Sequence, residues 1–446
     1  MPSLSSPPGP TSRLPGGLLF ELRRDPLAFF LRVRSDHGPI AHWRIGPQRV
    51  FLISEPAVVE ELLVKQYRHF VKSGALTRSK FVLGEGLLTS EGEAHLRQRR
   101  LMQPAFHRKR IAGYASVMTA HAVALSERWQ DGETIDINQA MMRLTLAIVG
   151  STLFGADVEA DAREVEDCVD ALLAIFDTVL LPFSGLVQRL PTAANRRAWD
   201  ALARLDAIVY RLIAERRASG TDAGDLLSML LLARDDDGSG GMSDRQVRDE
   251  AMTLFLAGHE TTANALSWTF HLLATHPEVR EALEAELATV LGGRAPTFED
   301  LPRLALTERV FAESLRLYPP GWAIARKAIA EVNACELTIP KGAIVIMSPY
   351  VVHRDARYFP DPDRFDPDRW TPEAKSSRPK FSYFPFSGGA RSCIGEPFAW
   401  MEAQLILATL CQAWRMAPVP GHRVEKEPLV TLRPKGGIPL VLTRRA

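Results

Sequence analysis

Four groups of residues have types and spacings able to do chemistry. The first centres on Cys393, within Phe386-Ser387-Gly388-Gly389-Ala390-Arg391-Ser392-Cys393-Ile394-Gly395. Two adjacent glycines permit positive φ, so the backbone can turn tightly and aim N–H groups at the sulfur. Phe398, Met401, Leu405, Ala408 and Leu410 recur at helical spacing, which puts the thiol at a helix N-terminus, where the dipole favours a thiolate and hence a metal ligand. The second group is Ala257-Gly258-His259-Glu260-Thr261-Thr262. Gly258 weakens a helix there, and the Thr261 hydroxyl can reach back to the carbonyl of Ala257, bending or opening that turn. A hydroxyl beside the Glu260 carboxylate can relay protons through an apolar cavity with the help of water. His259 and Thr262 point elsewhere on the helix.

The third group is His95 and Arg99, four apart on one helical face. The fourth is Glu313 and Arg316, three apart among apolar neighbours, a pair that burial would oblige to find further partners. Each group taken alone has a plain structural alternative. These are a buried cysteine, a capped core helix, a solvated basic helix and a surface ion pair.

The surroundings decide among these readings. F-x-x-G-x-R-x-C-x-G, from Phe386 to Gly395, resembles the heme-thiolate signature of the cytochrome P-450 family, in which the cysteine is the proximal iron ligand. The resemblance runs from about Asp25 to the C-terminus, with the motifs in the family's order, and it implies heme b as cofactor. It makes Cys393 the metal ligand, puts Phe386 beside the sulfur and Gly395 in the loop, and directs Arg391, His95, Arg99 and Arg326 toward the heme and its propionates. It makes Glu260 and Thr261 the catalytic acid and alcohol of oxygen activation. It also joins Glu313 and Arg316 to Arg369 of Pro367-Asp368-Arg369-Trp370 as scaffold, since a planar guanidinium suits a bidentate network that lysine cannot copy.

The implied reaction inserts one atom of O2 into a hydrophobic organic molecule of the fatty acid, terpenoid, carotenoid or steroid class. Phe81, Leu83, Phe183, Phe255, Ala257, Trp322, Ala323, Ile324 and Leu432 are the expected substrate contacts. Two other functions stay open. A heme-based sensor would keep Cys393 with no need of Glu260 and Thr261, and a peroxide-driven hydroxylase would often lack that pair.

Composition sets the frame for these sites. The 446 residues are 46% hydrophobic and 24% charged, an ordinary soluble composition, and the net charge of +1 gives no reason to expect a nucleic acid partner. Four scattered cysteines suggest neither a disulfide framework nor zinc, which fits a reducing cytoplasm. No apolar run approaches the roughly 18 to 20 residues of a membrane span. A monomer is expected. Electrons must come from a separate ferredoxin or flavodoxin with its NAD(P)H-dependent reductase, since neither a cluster-binding cysteine set nor a dinucleotide fingerprint is legible. Arg97, Arg100, Arg108, Lys109 and Arg110 form a basic cluster suited to an acidic partner.

The elements that must position the sites are mainly helical, with minor β sheets, in one domain over 18–446 after a flexible Pro/Ser/Gly-rich lead-in over 1–17. The resemblance places the heme between the long central helix and the cysteine loop. Ile40–Trp43 and Arg49–Ile53 alternate as a strand pair, with a helix from Glu55 to Val64 after them. Phe70 to Gly92 reads as a loop with apolar side chains, of the kind that often lines a site. Helical periodicity then runs over Ile111–Trp129, Asn138–Phe154, Glu164–Thr178, Asn195–Arg217 and Asp225–Ala233. Leu180 to Ala194 is a candidate lid. Ser243 caps a helix reaching Ala274 that is apolar around most of its circumference and therefore buried. Short strands follow Pro319-Pro320, and a closing hairpin is expected from Val430–Leu432 and Leu440–Leu442.

Overall fold

The computed structural model describes residues 7–445 apart from 13, 15, 156–163, 165, 166, 170, 173–189 and 236–239. The expected helix over Glu164–Thr178 falls largely outside the described residues, as do Phe183 and most of the candidate lid. The chain forms two compact units, one built from 1–73, 312–393 and 431–433, the other from 74–311, 394–430 and 434–446.

The first unit holds the main sheet. Strands β1 (Ile40–Ile45) and β2 (Gln48–Ile53) pair antiparallel through a turn at Gly46, as the alternation predicts. The sheet order is β1-β2-β8-β5-β3, where β3 is Phe70–Lys72, β5 is Ile324–Ala328 and β8 is Ile344–Met347. Strands β6 (Val332–Ala334) and β7 (Leu337–Ile339) form a separate hairpin. Period-two alternation sends Phe51, Ile53 and Val345 into a core with Val332, Leu337 and Ile339. Val50 and Leu52 go to the other face, with Phe29, Phe30 and Val33 of helix α2 (Pro26–His37). Helix α1 (Gly17–Arg24) precedes α2, and α3 (Pro56–Glu60) follows β2.

The lead-in departs from the expectation of a flexible tail over its described part. The His42 N–H donates to the carbonyl of Pro8 at 3.0 Å, so the segment takes up a free edge of β1. The approach is so close that a Cβ on Gly9 would lie 1.7 Å from the oxygen of His42.

The second unit is a helical body. Its helices include α4 (Gly92–Met102), α5 (Ala115–Arg128), α6 (Ile137–Phe154), α7 (Ala193–Ser219), α8 (Leu226–Leu232), α9 (Asp244–Thr275), α10 (Pro277–Leu291) and, after the N-terminal half of α11 (Ala305–Leu317), α12 (Glu396–Ala413). Helix α9 starts with a full capping box, Ser243 and Gln246 satisfying each other's backbone amides. It packs along α6, where Asn138 donates to Asn264 and Ser267 at 3.2 and 3.1 Å and the Thr145 hydroxyl lies 3.0 Å from the carbonyl of His259. A Cβ on Gly258 would stand 3.4 Å from Val149, an ordinary contact, so packing against α6 does not require the glycine.

The expected C-terminal hairpin does not form. Strand β12 (Pro439–Arg444) pairs instead with β4 (Thr134–Asp136) and β9 (Trp414–Pro418), while β10 (Glu425–Pro428) and β11 (Leu432–Lys435) lie in another sheet. The two glycines before β12, Gly436 and Gly437, both have positive φ, and a Cβ on Gly437 would meet the Asp136 carboxylate at 2.1 Å. That turn redirects the chain onto β4.

Candidate functional site

The cysteine loop is closed by its own backbone. The Cys393 N–H donates to the carbonyl of Phe386 at 2.9 Å, and Gly389–Arg391 makes a single tight turn inside it. Positive φ falls on Ser387 and Gly389, while Gly388 is extended at −166°. The two glycines therefore serve different needs. Gly389 supplies the left-handed backbone and, with no Cβ, clears the carbonyl of Leu63, which a side chain would meet at 2.1 Å. Gly388 supplies space, because a Cβ there would lie 2.5 Å from the ring of Phe381. Cys393 is left exposed, and α12 begins three residues later with Gly395 at its N-cap position. Arg391 and Phe386 are half-buried in the same loop.

Behind the loop stands the scaffold network. Arg316 donates to both carboxylate oxygens of Glu313 at 2.8 and 2.7 Å, and to the carbonyls of His353, Pro362 and Arg364 at 2.9, 2.6 and 3.0 Å. Glu313 also accepts from the Asp366 amide and the Trp370 indole, and Arg369 Nε lies 3.3 Å from it. Both members of the central pair are 0% exposed, so this is a buried ion pair whose remaining valences are filled, the condition under which such a pair is tolerated. The structure thus brings Glu313, Arg316 and Arg369 together.

His353 extends this network toward the loop. Its Nε2 accepts the Phe384 N–H at 3.0 Å, which requires a neutral ring, and full burial beside Arg316 and Arg354 holds its pKa well below the ordinary value. Sequence reading missed His353. A histidine following the strand Ile344–Met347 and opening His353-Arg354-Asp355 was the available signal.

On α9 the hydroxyls of Thr261 and Thr262 donate to the carbonyls of Ala257 and Gly258 at 2.8 and 3.1 Å. The turn stays α-helical, so the expected opening is not seen. Such back-bonds are not distinctive by themselves, because Ser267, Thr269 and Thr275 make the same bond further along. Exposure is what sets the first turn apart. From Thr262 to Phe270 every residue of α9 is buried, whereas Leu254, Gly258 and Thr261 are partly open and Ala257 is exposed. These positions are spaced i, i+3, i+4 and i+7, a single stripe on one face. Sequence reading found Ala257 and Thr261, named Gly258 only as weakening the helix, and missed Leu254, though the spacing was visible. Glu260 lies beside the stripe and is buried. His259 packs against the ring of Phe255 on the closed side, and burial pulls its pKa down to about 4, so it is neutral near pH 7.

The remaining expected contacts divide by burial. His95 is buried on α4 and Arg99 is half-open one turn later. Arg326 lies on β5, opposite Lys72 of β3 and Val345 of β8. Trp322, Ala323 and Ile324 keep part of their surface open, as does Phe81. Leu83, Phe255 and Leu432 are core side chains at 1, 2 and 0% exposure. Leu432 packs with Leu27 and Tyr350 where its N–H bonds Pro320, and Phe255 packs on Phe154. The basic cluster also changes. Arg97 is held by Asp235 through two bonds of 2.8 Å and by the Gly241 carbonyl, while Arg100, Lys109 and Arg110 are exposed, Arg110 being paired to Asp222, and the side chain of Arg108 lies outside the described ones.

These residues fit a heme. Among the described residues no three of His, Cys, Asp and Glu gather as a metal-binding set, so an iron held at Cys393 would draw most of its ligands from a macrocycle. An exposed thiol at a tight turn, an open apolar stripe bearing one hydroxyl, and Arg and His side chains for carboxylates meet that group's chemistry.

Comparison with known proteins agrees over nearly the full chain. A family model described as cytochrome P450 matches residues 7–440. The chain is 42% identical to cyclooctatin synthase of Streptomyces melanosporofaciens, over 94% of this chain and 92% of that one. It is 40% identical to cyclooctat-9-en-7-ol 5-monooxygenase of the same organism, over 93% and 91%. With pentalenene oxygenase of Streptomyces avermitilis it shares 38% identity over 96% and 95%. Among solved structures, a cytochrome P450DA heme domain superposes with TM-score 0.88 at 28% identity, covering 99% of this chain and 98% of that one. Retinoic acid bound cyanobacterial CYP120A1 superposes with TM-score 0.87 at 27% identity, covering 99% and 100%. A thiol presented on a self-closed loop, a buried Glu-Arg-Arg network behind it and likeness along almost the whole sequence have one common explanation: the chain belongs to the cytochrome P450 family.

Proposed function

We propose that this heme-thiolate monooxygenase oxidises a cyclic terpenoid, using heme b held by Cys393 and a proton relay through Glu260 and Thr261. The observation that carries the reading is the stripe Leu254–Ala257–Gly258–Thr261, open and apolar except for one hydroxyl, on a helix buried from Thr262 to Phe270. An apolar stripe of this kind recognises shape and offers a terpenoid few polar contacts. The relatives support the substrate class, since their names state oxygenation of cyclooctat-9-en-7-ol and of pentalenene.

Heme, when bound, supplies the reduction and cleavage of O2 that no side chain here can perform. The protein's own work is to bind, orient and deliver protons. The Cys393 loop holds the sulfur by the bond from its amide to Phe386, while Arg391, Arg326, His95 and Arg99 answer the propionates. Thr261 holds a hydroxyl at the open stripe with its proton directed to Ala257, and Glu260 stands next to it as proton donor. The family resemblance offers Trp322, Ala323, Ile324 and Phe81 as apolar contacts for the substrate. Arg100 and Lys109, exposed, are the surface offered to an acidic ferredoxin or flavodoxin served by an NAD(P)H-dependent reductase. The protein works as a monomer in the cytoplasm, a location that its four scattered cysteines favour.

The test supplies the reconstituted holoenzyme with 18O2, a surrogate ferredoxin and reductase, and either cyclooctat-9-en-7-ol or pentalenene. One labelled oxygen is expected per product molecule. Thr261→Ala is expected to keep binding the substrate while product per NAD(P)H falls about a hundredfold, the lower end of the range for a lost proton-transfer group. Unlabelled product, or unchanged coupling in the variant, would contradict the proposal.

A further inference from the structure

Three consecutive charged residues, Arg248, Asp249 and Glu250, lie near the start of α9 at 6, 4 and 0% exposure. Buried charges are costly unless each is paired or hydrogen-bonded, so their partners report what they do. Arg248 is ion-paired to Asp206 and Asp249, and the three residues' bonds to backbone fall on one short stretch of chain. Arg248 donates to the carbonyl of Val82 at 2.9 Å, Asp249 accepts the Glu85 N–H at 2.9 Å, and Glu250 accepts the Leu87 N–H at 2.8 Å. Gln98 on α4 closes the same stretch by donating to the Glu85 carbonyl at 2.6 Å.

The two glycines in this stretch show how tightly it is seated. Gly84 has φ +56°, and a Cβ on it would fall 2.1 Å from the Asp249 carboxylate. A Cβ on Gly86 would fall 2.2 Å from the Thr253 hydroxyl. Neither position admits a side chain without moving the segment off the helix.

Helical spacing then gives the segment a place. Glu250, Leu254, Ala257 and Thr261 follow one another at i, i+4, i+7 and i+11, one line along one face. The last three are open and the first is fully closed, with the Leu87 amide upon it. Val82–Leu87 is therefore where the open stripe ends, roughly 16 Å along the helix from Thr261 at 1.5 Å per residue.

We propose that Glu250, assisted by Asp249, is a positioning residue: by anchoring Val82–Leu87 it builds the end wall of the ligand stripe and sets the greatest length of hydrophobic molecule the site accepts. The inference rests on the reading that this stripe borders the substrate. Shortening the carboxylate frees the wall, and longer molecules then fit.

Two measurements on the holoprotein test it. A graded series of 1-alkylimidazoles is titrated spectrally, the imidazole fixing one end at the iron and the tail probing length. In the wild type affinity should rise with tail length and then stop. In Glu250→Ala that limit should move to longer tails, with about tenfold tighter binding of tails just beyond the wild-type limit, the effect of a relieved steric or hydrogen-bond constraint. Glu250→Gln keeps an acceptor for Leu87 and should keep the wild-type limit. Glu250→Asp, which withdraws the carboxylate by one methylene, should behave as alanine does and serves where Glu250→Ala does not fold.

Hydrogen–deuterium exchange supplies a readout independent of iron, in which the Glu85 and Leu87 amides should exchange about tenfold faster in the shortened variants than in the wild type or Glu250→Gln. The same length limit in every variant, or unchanged exchange, overturns the proposal. A wild type that binds no alkylimidazole at all contradicts the heme reading instead, and the exchange comparison still decides whether Glu250 is the anchor.

Discussion

Glu402 is an acid whose charge the surrounding protein controls. It lies in the middle of α12 at 0% exposure, and among the described residues neither carboxyl oxygen has a hydrogen-bond partner. Burial pushes its pKa from 4.5 up to about 8, against a smaller opposing pull from the Thr262 hydroxyl, which is already committed to the carbonyl of Gly258. The folded state therefore holds a proton that the unfolded chain releases above about 4.5. By linkage, stability falls as pH rises from about 4.5 to about 8, by at most ~1.4 kcal/mol per pH unit. Glu402→Gln, permanently neutral, should lose this contribution, so its stability advantage over the wild type should grow between pH 5 and pH 8. Urea unfolding at the two pH values checks this. An advantage that is the same at both would mean Glu402 is not the buried proton carrier. The signal was present in the sequence as one acid inside the apolar run from Phe398 to Cys411, but no spacing rule says which buried acids stay neutral.

The element that carries most consequence is the end of α11 with the turns that wrap it. Arg316 makes five hydrogen bonds, three of them to carbonyls of two separate turns, and through His353 the network touches Phe384, two residues before the cysteine loop. Arg316→Lys keeps the charge but loses the fork, leaving carbonyls of His353, Pro362 and Arg364 without their donors. A loss of about 3 kcal/mol is expected, the cost of breaking a buried, hydrogen-bonded pair. Thermal unfolding followed by circular dichroism measures it, and a midpoint within a degree of the wild type would remove the network from the stability of this unit.

The E-x-x-R spacing and the later Pro-Asp-Arg made this element legible in advance. Helices α5, α6, α7, α8 and α9 were legible too, from their apolar period and, for α9, from the cap at Ser243. The C-terminal hairpin was not, since β12 chooses partners just over 300 and about 25 residues away through a turn made by Gly436 and Gly437. Long-range strand pairing leaves little trace in local alternation. Leu83, Phe255 and Leu432 show the same limit for side chains, because an apolar residue near a site reads alike whether it lines a cavity or packs behind it.

At the scale of the molecule, no described helix is long and apolar enough to cross a membrane, and the net charge is near zero. Any electrostatic steering of a redox partner must therefore come from a local patch. Arg97 is removed from that patch by its bidentate bond to Asp235, so reversing it would break an internal tie. Arg100→Glu with Lys109→Glu is the cleaner change. It should slow reduction by an acidic ferredoxin about tenfold at low salt and flatten the salt dependence, since screening already weakens such attraction as the Debye length shrinks. Stopped-flow reduction rates indifferent to both salt and charge reversal would move the docking face elsewhere.

The central claim is that Cys393 is the thiolate through which this chain holds heme iron, and the ferrous carbonyl spectrum tests it most directly. The wild-type protein should show the strongly red-shifted Soret band of a thiolate-ligated heme. Cys393→His should bind heme yet lose that band, and product formation with it. Survival of the red-shifted band in Cys393→His, or its absence from a folded, heme-loaded wild type, would contradict the account.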